Sequence, residues 1–268
     1  MFINNLDTNR FKHLAKRYGT PLYVYDLDEI FPTAIHKIYD HWESILIRYA
    51  VMANSTSAVL KRLQCYGVGF QANSVKECHT LRQCAVTPDR ISVTTTNMSD
   101  KDLLYYKNEQ VFINFNSLEE IRGFGKLHLR TSVNQRNDIG IRIEFRPSRV
   151  SGGATNCHQG KNRIGVPLQH ISRALQIAAQ YNLCITGIHG YAHSNCSDVT
   201  VFQELMDVAK EYAVRLPDLT TINLGGGFGI PDGRDNRSFD WDEFGKYVKS
   251  SMSPLSWRLG KRLRLEIE

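Results

Sequence analysis

The chain has 268 residues, of which 42% are hydrophobic, and it carries a formal net charge of +6; this length and apolar content allow one large core and require no second domain. Basic side chains are scattered among acidic ones, which argues against nucleic-acid binding and leaves a modest positive excess that suits a phosphorylated small ligand. The six cysteines form no C-x-x-C pair, so neither a zinc site nor a disulfide framework is predicted.

The N-terminal part is predicted to form a helix, a strand and a second helix. Residues 11–18 have an amphipathic helical pattern that Gly19 ends. Residues 22–25, Leu-Tyr-Val-Tyr, are expected to form a strand that pairs with a sheet elsewhere. The acidic stretch at residues 26–29 then caps a helix that runs to about residue 42.

Eight apolar, β-branched runs predict buried parallel strands, and helical patterns separate nearly all of them. They lie at residues 45–54, 69–73, 91–95, 111–115, 139–145, 184–191, 221–224 and 263–268. Eight such units predict a parallel (β/α)8 TIM barrel, a fold of about 250 residues with its active site at the C-terminal ends of the strands. The first strand therefore points Met52 at the site, and the last strand points Glu268 there.

Helices are predicted between these strands at residues 57–66, 75–85, 99–106, 117–124, 168–181 and 199–215. Serine is expected to cap the helices that begin at Ser99 and Ser117. The connection at residues 146–163, rich in Gly, Ser and Asn, is unusually long, which is typical of a functional or mobile loop.

No targeting or membrane-spanning segment is recognised in the sequence. The first residues, MFINN, lack a signal-peptide pattern. No apolar run reaches the roughly 18 residues that a membrane-spanning helix needs. The chain is therefore predicted to be cytoplasmic.

The glycine run Gly225-Gly226-Gly227-Phe228-Gly229 directly follows the seventh predicted strand. Consecutive glycines allow backbone N–H groups to close around an anion, and in a TIM barrel the loops after strands seven and eight are the usual phosphate site. A tight turn that needs positive φ is the alternative, and it explains one glycine better than four. The G-x-G-x-x-G order of a dinucleotide fold is absent.

His189 and His193 follow strand six, and Glu268 closes strand eight. A histidine there stacks on a planar ligand, shuttles protons or has a structural role. No third ligand at suitable spacing favours a metal site. A carboxylate at Glu268 keeps a paired heterocyclic nitrogen protonated, unless it is simply an exposed terminal acid.

These motifs together resemble the fold-type III pyridoxal-phosphate decarboxylases, the diaminopimelate, ornithine and arginine decarboxylase group whose barrel is like that of alanine racemase. The likeness, best to the diaminopimelate enzymes, spans about residues 14–268. It is carried by four motifs in the family's order and spacing, at residues 18–26, 116–120, 187–189 and 224–231.

The resemblance implies a role for each site residue. Gly225, Gly226 and Gly227 would hold the phosphate of pyridoxal 5'-phosphate, Glu268 would meet the pyridine nitrogen, and His193 would stack on the ring. Ser74 and Glu77 also fit the family pattern after strand two. The resemblance implies a lyase of amino-acid metabolism that takes a small amino acid.

Three departures from the family pattern bear on activity. Met52 stands where the family has its Schiff-base lysine, and a thioether forms no imine. Gln71 replaces the acidic residue usual after the phenylalanine of strand two. The sequence also stops at Glu268, before the family's C-terminal β domain. The expected organisation is therefore an N-terminal helix and strand at residues 1–26, which in the family join the second domain, followed by the cofactor barrel at residues 27–268.

These departures predict an inactive or strongly impaired decarboxylase that binds pyridoxal phosphate weakly and without a covalent bond. The alternatives are a non-catalytic regulatory or binding homologue, one half of a split decarboxylase, or an engineered lysine-to-methionine chain. The unpaired strand at residues 22–25 predicts a homodimer or association with a chain that supplies the second domain.

Overall fold

The computed structural model describes residues 8–28, 45–130, 136–148, 164–231 and 237–268, together with residues 32, 35 and 38. Eight parallel strands close into a barrel in sequence order, and the last strand pairs with the first. The strands are β1 (Ile45–Ala50), β2 (Gly69–Ala72), β3 (Ile91–Thr94), β4 (Phe112–Phe115), β5 (Asp138–Arg142), β6 (Cys184–His189), β7 (Thr221–Asn223) and β8 (Arg264–Ile267). The predicted (β/α)8 barrel is confirmed.

Helices cover the outside of the barrel. Helix α1 (Thr8–Tyr18) precedes it, and the described helices between strands are α2 (Ser57–Gln64), α3 (Val75–Gln83), α4 (Asp100–Asn108), α5 (Leu118–Leu129), α6 (Ile171–Gln180), α7 (Val199–Ala213) and α8 (Trp241–Arg258). Helix α8 was not among the predicted helices. No described helix is long and apolar enough to cross a bilayer.

Local sequence chemistry explains where three of these helices begin. Ser74, Ser99 and Ser117 each accept a hydrogen bond from the backbone N–H three residues later, which satisfies one of the free donors of the first turn. The predicted serine caps at Ser99 and Ser117 are confirmed. The first strand is shorter than predicted, because residues 51–53 turn into a short 3-10 helix directly after β1.

The predicted strand at residues 22–25 has no partner strand among the described residues. These residues form no strand or bridge with any described part of the chain, and Tyr23 is 91% exposed. Alternation of apolar and polar residues marks a strand only where a neighbour accepts its hydrogen bonds. Of the predicted helix to residue 42, residues 32, 35 and 38 are described and are helical, while most of the rest, like most of the connection at 146–163, lies outside the described residues.

The strands alternate between an apolar outer face and a polar inner face. Apolar strand residues belong to one buried cluster with the inner faces of the helices, as Phe70, Ile113 and Leu265 illustrate. The alternate positions are polar yet equally buried: Arg48, Gln71, Ser92, Thr94, Asn114, His189, Asn223 and Glu266. The core therefore lies between sheet and helices, while the barrel interior is a hydrogen-bonded polar network instead of the layers of branched apolar side chains usual in this fold.

Arg48 and Glu266 form the central ion pair of this interior. Arg48 Nη2 donates to Glu266 Oε1 at 2.9 Å, and Nε donates to Oε2, while each residue is only 3% exposed. Arg264 Nη2 lies 3.0 Å from the same Oε1. A bidentate pair in a low-dielectric setting is strong only while both partners remain, because either charge alone is costly to bury.

The ion pair gives a stability prediction. Glu266→Gln removes the charge that compensates Arg48 and is expected to lower the free energy of unfolding by about 3–5 kcal/mol, measured by urea denaturation. Glu211→Gln, on the exposed face of α7, is the matched control and should change stability by no more than about 0.5 kcal/mol. A loss of less than about 1 kcal/mol for Glu266→Gln would contradict the assigned role of the pair.

Five cysteines lie in the described residues, and all five are free thiols: Cys65, Cys78, Cys84, Cys184 and Cys196. Cys78 is fully buried, and its burial, aided by the negative charge of Glu109, raises the pKa of its thiol to about 12. Cys65 is exposed. Because the thiolate is the reactive form, these two cysteines should differ sharply in reactivity.

At pH 8 we expect iodoacetamide to alkylate Cys65 at least about tenfold faster than Cys78 in the native protein, since Cys78 is both protonated and inaccessible. Peptide mass spectrometry over a time course measures the two rates. In denaturant the rates should converge. Equal labelling of the native protein would show that the α3–α4 region opens readily.

Candidate functional site

All predicted site residues follow the C-terminal end of a strand, and Glu268 directly follows β8. Met52 follows β1, Ser74 follows β2, His193 follows β6, and the glycine run follows β7. Because parallel strands all end at one side of a barrel, this end forms a single mouth.

The glycine loop after β7 is a close-packed backbone cradle. Gly225 and Gly227 have φ values of +69° and +90°, which side-chain-bearing residues rarely adopt. A Cβ on Gly227 would lie 1.7 Å from the carbonyl oxygen of His193, and one on Gly226 would lie 2.8 Å from that of Glu268. Gly226 and Gly227 therefore lie too close to neighbouring backbone to carry a side chain, so a tight turn alone does not explain the glycine run.

Hydrogen bonds hold the loop while leaving two donors for a ligand. The N–H of Gly225 donates to Asn223 Oδ1 at 2.7 Å, and the carbonyl of Gly225 accepts from the N–H of Glu268 at 2.9 Å. The amides of Gly226 and Gly227 donate to no atom of the described residues. Successive backbone N–H groups in such a turn form an anion-binding concavity, so the loop fits a phosphate group.

Phe228 anchors the loop to the helices behind it. Its ring stacks on Phe202 of α7 at a centroid distance of 4.4 Å and contacts Phe239 and Trp241 at 4.9 and 4.7 Å. Phe244 of α8 completes the cluster. This aromatic cluster connects the glycine loop to α7 and α8, so the loop is held from both sides.

Glu268 lies inside the mouth, with its carboxylate oriented by two other strands. Its Oε1 accepts from Nε2 of His189, the last residue of β6, and from Nδ2 of Asn223, the last residue of β7, each at 3.1 Å. Since a carboxylate oxygen only accepts, Nε2 of His189 carries the proton. Oε2 of Glu268 accepts no hydrogen bond from the described residues, which leaves it for a donor such as a protonated ring nitrogen.

Arg142 is a mouth residue that the sequence reasoning missed. It ends β5, and its guanidinium lies 5.7 Å from the centroid of the Tyr191 ring. Burial lowers the pKa of Arg142, while the negative charge of Glu268 acts in the opposite direction. Strand alternation could have predicted the position of Arg142. Arg142 is two residues after Gly140, whose Cβ position faces Asn114 inside the barrel, so both residues lie on the inner face of β5.

His193 borders the glycine loop through its backbone. Cys196 N–H donates to the carbonyl of Gly227 at 2.8 Å, and a bridge joins Cys196 to Phe228. The ring Nδ1 of His193 donates to the carbonyl of Ser194 at 2.7 Å. The structure therefore brings His193 beside Gly227, where a ligand held by the loop would meet it.

Met52 and Ser74 follow β1 and β2, and β1 pairs with β8, the strand that precedes Glu268. The Met52 side chain is 69% exposed, and its sulfur accepts from Nδ2 of Asn73 at 3.4 Å. Ser74 caps α3, accepting from the N–H of Glu77 at 3.2 Å, and no hydrogen bond joins it to the glycine loop or Glu268 among the described residues. Its predicted cofactor contact stays a prediction.

Three buried polar atoms around the mouth lack a hydrogen-bond partner in the described part of the chain. They are Nε2 of Gln71, Oδ1 of Asn116 and Nδ1 of His189. Buried polar atoms are normally paired, so unpaired ones at a barrel mouth indicate a polar ligand or ordered water. The Gln71 side chain also accepts a hydrogen bond from Ser92, so a neutral amide occupies the floor beside Met52. No group of three potential metal ligands occurs among the described residues.

Comparison with known families gives a match over most of the chain. The model of the pyridoxal-dependent decarboxylases, pyridoxal binding domain, matches residues 31–268. The chain is 28% identical over 247 residues to diaminopimelate decarboxylase of Methanothermobacter thermautotrophicus, covering 88% of this chain and 56% of the relative. It is 25% identical over 272 residues to that of Buchnera aphidicola, covering 99% and 61%. The chain thus spans between half and two thirds of these relatives.

Solved structures share the fold. The diaminopimelate decarboxylase of M. jannaschii, solved in complex with L-lysine, superimposes with a TM-score of 0.80 at 19% identity, covering 96% of this chain and 62% of that one. AQ1208 of Aquifex aeolicus superimposes with a TM-score of 0.77 at 23% identity, covering 96% and 60%.

The close packing of the glycine loop can be tested with two glycines of similar φ. Gly227→Ala is expected to reduce the free energy of unfolding by about 1–3 kcal/mol more than Gly260→Ala, because its new methyl group meets backbone. Gly260 has a φ of +64° and open space at its Cβ position, so the difference between the variants isolates the steric contact. If both variants lose the same free energy of unfolding in urea denaturation, backbone φ strain alone accounts for the loss.

Proposed function

Because this chain belongs to the pyridoxal-dependent decarboxylases through their pyridoxal-binding domain, we propose that its barrel mouth binds pyridoxal phosphate weakly and without a covalent bond, and that turnover as an amino-acid decarboxylase is absent or strongly impaired. One observation carries the proposal. The mouth has an anion cradle and an oriented carboxylate, while Met52, which has no amine, lies in the short 3-10 helix directly after β1.

The parts of the site suit the parts of the cofactor. The free N–H groups of Gly226 and Gly227 would hold the phosphate, with Gly225 fixing the turn. Oε2 of Glu268 would accept from the protonated pyridine nitrogen, and His193 would stack on the ring. These assignments rest on the open donors of the loop, on the two hydrogen bonds that orient Glu268, and on the place of His193 beside Gly227.

The residues of this chain determine which chemical steps are supported. Pyridoxal phosphate, when bound in this family, supplies the electron sink for cleavage of a carbon–carbon bond beside an amino group. Glu268 would hold a proton at the ring nitrogen, and the glycine loop would fix the position of the ring. Met52 can neither give nor take a proton and forms no covalent bond to an aldehyde, so the site orients its ligand but lacks the amine that starts turnover.

The names of the relatives support a substrate class. Two sequence relatives are named diaminopimelate decarboxylases, and the M. jannaschii enzyme of that name was solved with L-lysine. We therefore infer a small amino acid or an analogue as the second ligand of the mouth. Arg142, which ends β5, and the unpaired Nε2 of Gln71, which lies in the barrel interior, are polar groups that could orient it.

A non-catalytic binding or regulatory role is the second candidate function. It is favoured by the exposed tyrosines Tyr23 and Tyr25, which are 91% and 53% exposed in a segment that pairs with no described strand. Backbone groups without partners and exposed aromatic rings are typical of an association surface. A second copy of this chain, or a chain that carries the family's second domain, would fit there.

Met52→Lys tests the main proposal. The native chain is expected to bind pyridoxal phosphate reversibly, with nothing fixed by borohydride, because no amine is placed at the end of β1. Met52→Lys should bind it at least about tenfold more tightly and gain a borohydride-fixed adduct on that lysine. Equilibrium dialysis and mass spectrometry of the intact chain measure the two effects.

Met52→Leu is the matched control, since it changes the side chain without adding an amine, and it should behave as the native chain does. If neither the native chain nor Met52→Lys retains pyridoxal phosphate at millimolar concentration, the cradle assignment fails. Decarboxylation of an amino acid by the native chain would refute the loss of turnover.

A further inference from the structure

Helix α1 carries uncompensated positive charge ahead of the barrel. Its side chains Arg10, Lys12, Lys16 and Arg17 are all exposed, and residues 8–25 contain no Asp or Glu. None of these four side chains forms an ion pair within the described part of the chain. Like charges one helical turn apart repel each other, so the helix favours a partner of negative charge.

An apolar stripe runs along the same helix. Phe11, Leu14, Ala15 and Tyr18 stand at the i, i+3, i+4 and i+7 positions, which share one face of an α-helix. None of them is buried, and none belongs to the cluster of apolar side chains that forms the core or packs against it. Such a stripe normally faces an apolar surface, so this face of α1 lacks a partner among the described residues.

The cations border this stripe on both sides. At about 3.6 residues per turn, Arg10 and Arg17 lie along one edge of the stripe and Lys12 and Lys16 along the other. The guanidinium of Arg17 lies 5.1 Å from the centroid of the Tyr18 ring, at the boundary of the two surfaces. Long basic side chains at such an edge keep their stems on apolar surface and extend their charges to lipid headgroups. This is the pattern of a helix that lies in a membrane surface, as opposed to one that crosses the bilayer.

The segment after α1 presents aromatic side chains to solvent. Tyr23 is 91% exposed and Tyr25 is 53% exposed, and tyrosine rings, with an apolar body and a polar tip, concentrate at the level of lipid headgroups. The chain is then tied to the barrel, because Leu27 packs against the core and Asp28 pairs with Arg62 of α2 at 2.6 Å. The basic and aromatic segment is therefore tethered to the barrel at its C-terminal end.

We propose that α1 binds an anionic lipid surface and lies in its plane. Phe11, Leu14 and Tyr18 enter the boundary of the acyl chains, while the cations on both edges contact phosphate headgroups. Electrostatic attraction and apolar burial act together in this arrangement. A lipid surface is favoured over an acidic protein because the cations line both edges of an apolar face and exposed tyrosines adjoin it. The proposal is independent of the cofactor cradle, since α1 precedes the barrel.

Sedimentation of the full chain with lipid vesicles tests the proposal. The native chain should bind vesicles made of equal parts of phosphatidylcholine and phosphatidylglycerol, and binding should weaken as the salt concentration rises. Its affinity for vesicles of phosphatidylcholine alone should be at least about tenfold lower, because these vesicles lack the negative surface potential that attracts basic side chains.

Variants separate the helix from the net charge of the chain. Lys12→Glu combined with Lys16→Glu reverses the charge along one edge of the stripe and should weaken binding at least about thirtyfold. Lys246→Glu combined with Lys249→Glu makes the same charge change at exposed positions of α8; this matched control should bind within about threefold of the native chain. Leu14→Ala keeps the charge and a good helix former but removes apolar area, and it should weaken binding about fivefold. Circular dichroism checks that each variant is folded.

Salt-sensitive binding that both α1 variants weaken and the α8 control does not supports the proposal. No binding to the anionic vesicles overturns it, and so do equal losses in the two double variants, which assign the attraction to net charge. Binding that Leu14→Ala leaves unchanged also overturns it, because the stripe is then not inserted. Tighter binding to poly-glutamate than to vesicles assigns α1 to an acidic protein instead. A dimer that forms without lipid and that Leu14→Ala dissociates, seen by light scattering, assigns the stripe to a second copy and overturns the lipid proposal.

Discussion

The carboxylate of Glu268 is the interaction on which the mouth of the barrel depends. It receives hydrogen bonds from His189 and Asn223, so the ends of β6, β7 and β8 meet at one pair of oxygens. Its own backbone N–H donates to Gly225, which ties the glycine loop to the same point. One oxygen is used by two donors, and the other accepts no hydrogen bond from the described residues, so the carboxylate is a structural tie that keeps an open acceptor at the mouth. A charged group in this role is stable only because its donors are fixed by strands.

Met52, unlike Glu268, contributes little to the stability of the mouth. Lysine and methionine have unbranched side chains of similar length, and at 69% exposure the side chain contributes little to the core. Exchange at such a position changes stability little, whereas it removes an amine that no neighbour replaces, since Asn73 offers only an amide to the sulfur. The fold of the mouth therefore does not depend on whether lysine or methionine stands at this position.

The barrel was predictable from sequence because its strands are short apolar runs repeated in order, and the mouth followed from the parallel topology. Gly225–Gly227, His193 and Glu268 were found because each follows a predicted strand. Whether the segment at residues 22–25 pairs with another strand could not be predicted, because alternation along a sequence carries no information about the presence of a partner strand. Helix α8 was overlooked, and it contains Pro254. Arg142 and Asn116 were missed because the strands were taken as uniformly buried runs, when one face is polar.

That polar face gives β8 an unusual position in the structure. Glu266 and Glu268 are two residues apart, so alternation places both carboxylates inside the barrel, one layer above the other. The upper carboxylate collects neutral donors and faces the mouth. The lower one is held by the guanidiniums of Arg48 and Arg264. A barrel filled with branched apolar side chains would hold its strands together by packing and backbone hydrogen bonds alone. Here the Arg48–Glu266 pair also joins β1 to β8 through side chains, so the closure of the barrel depends on a buried ion pair that is stable only while both partners are present.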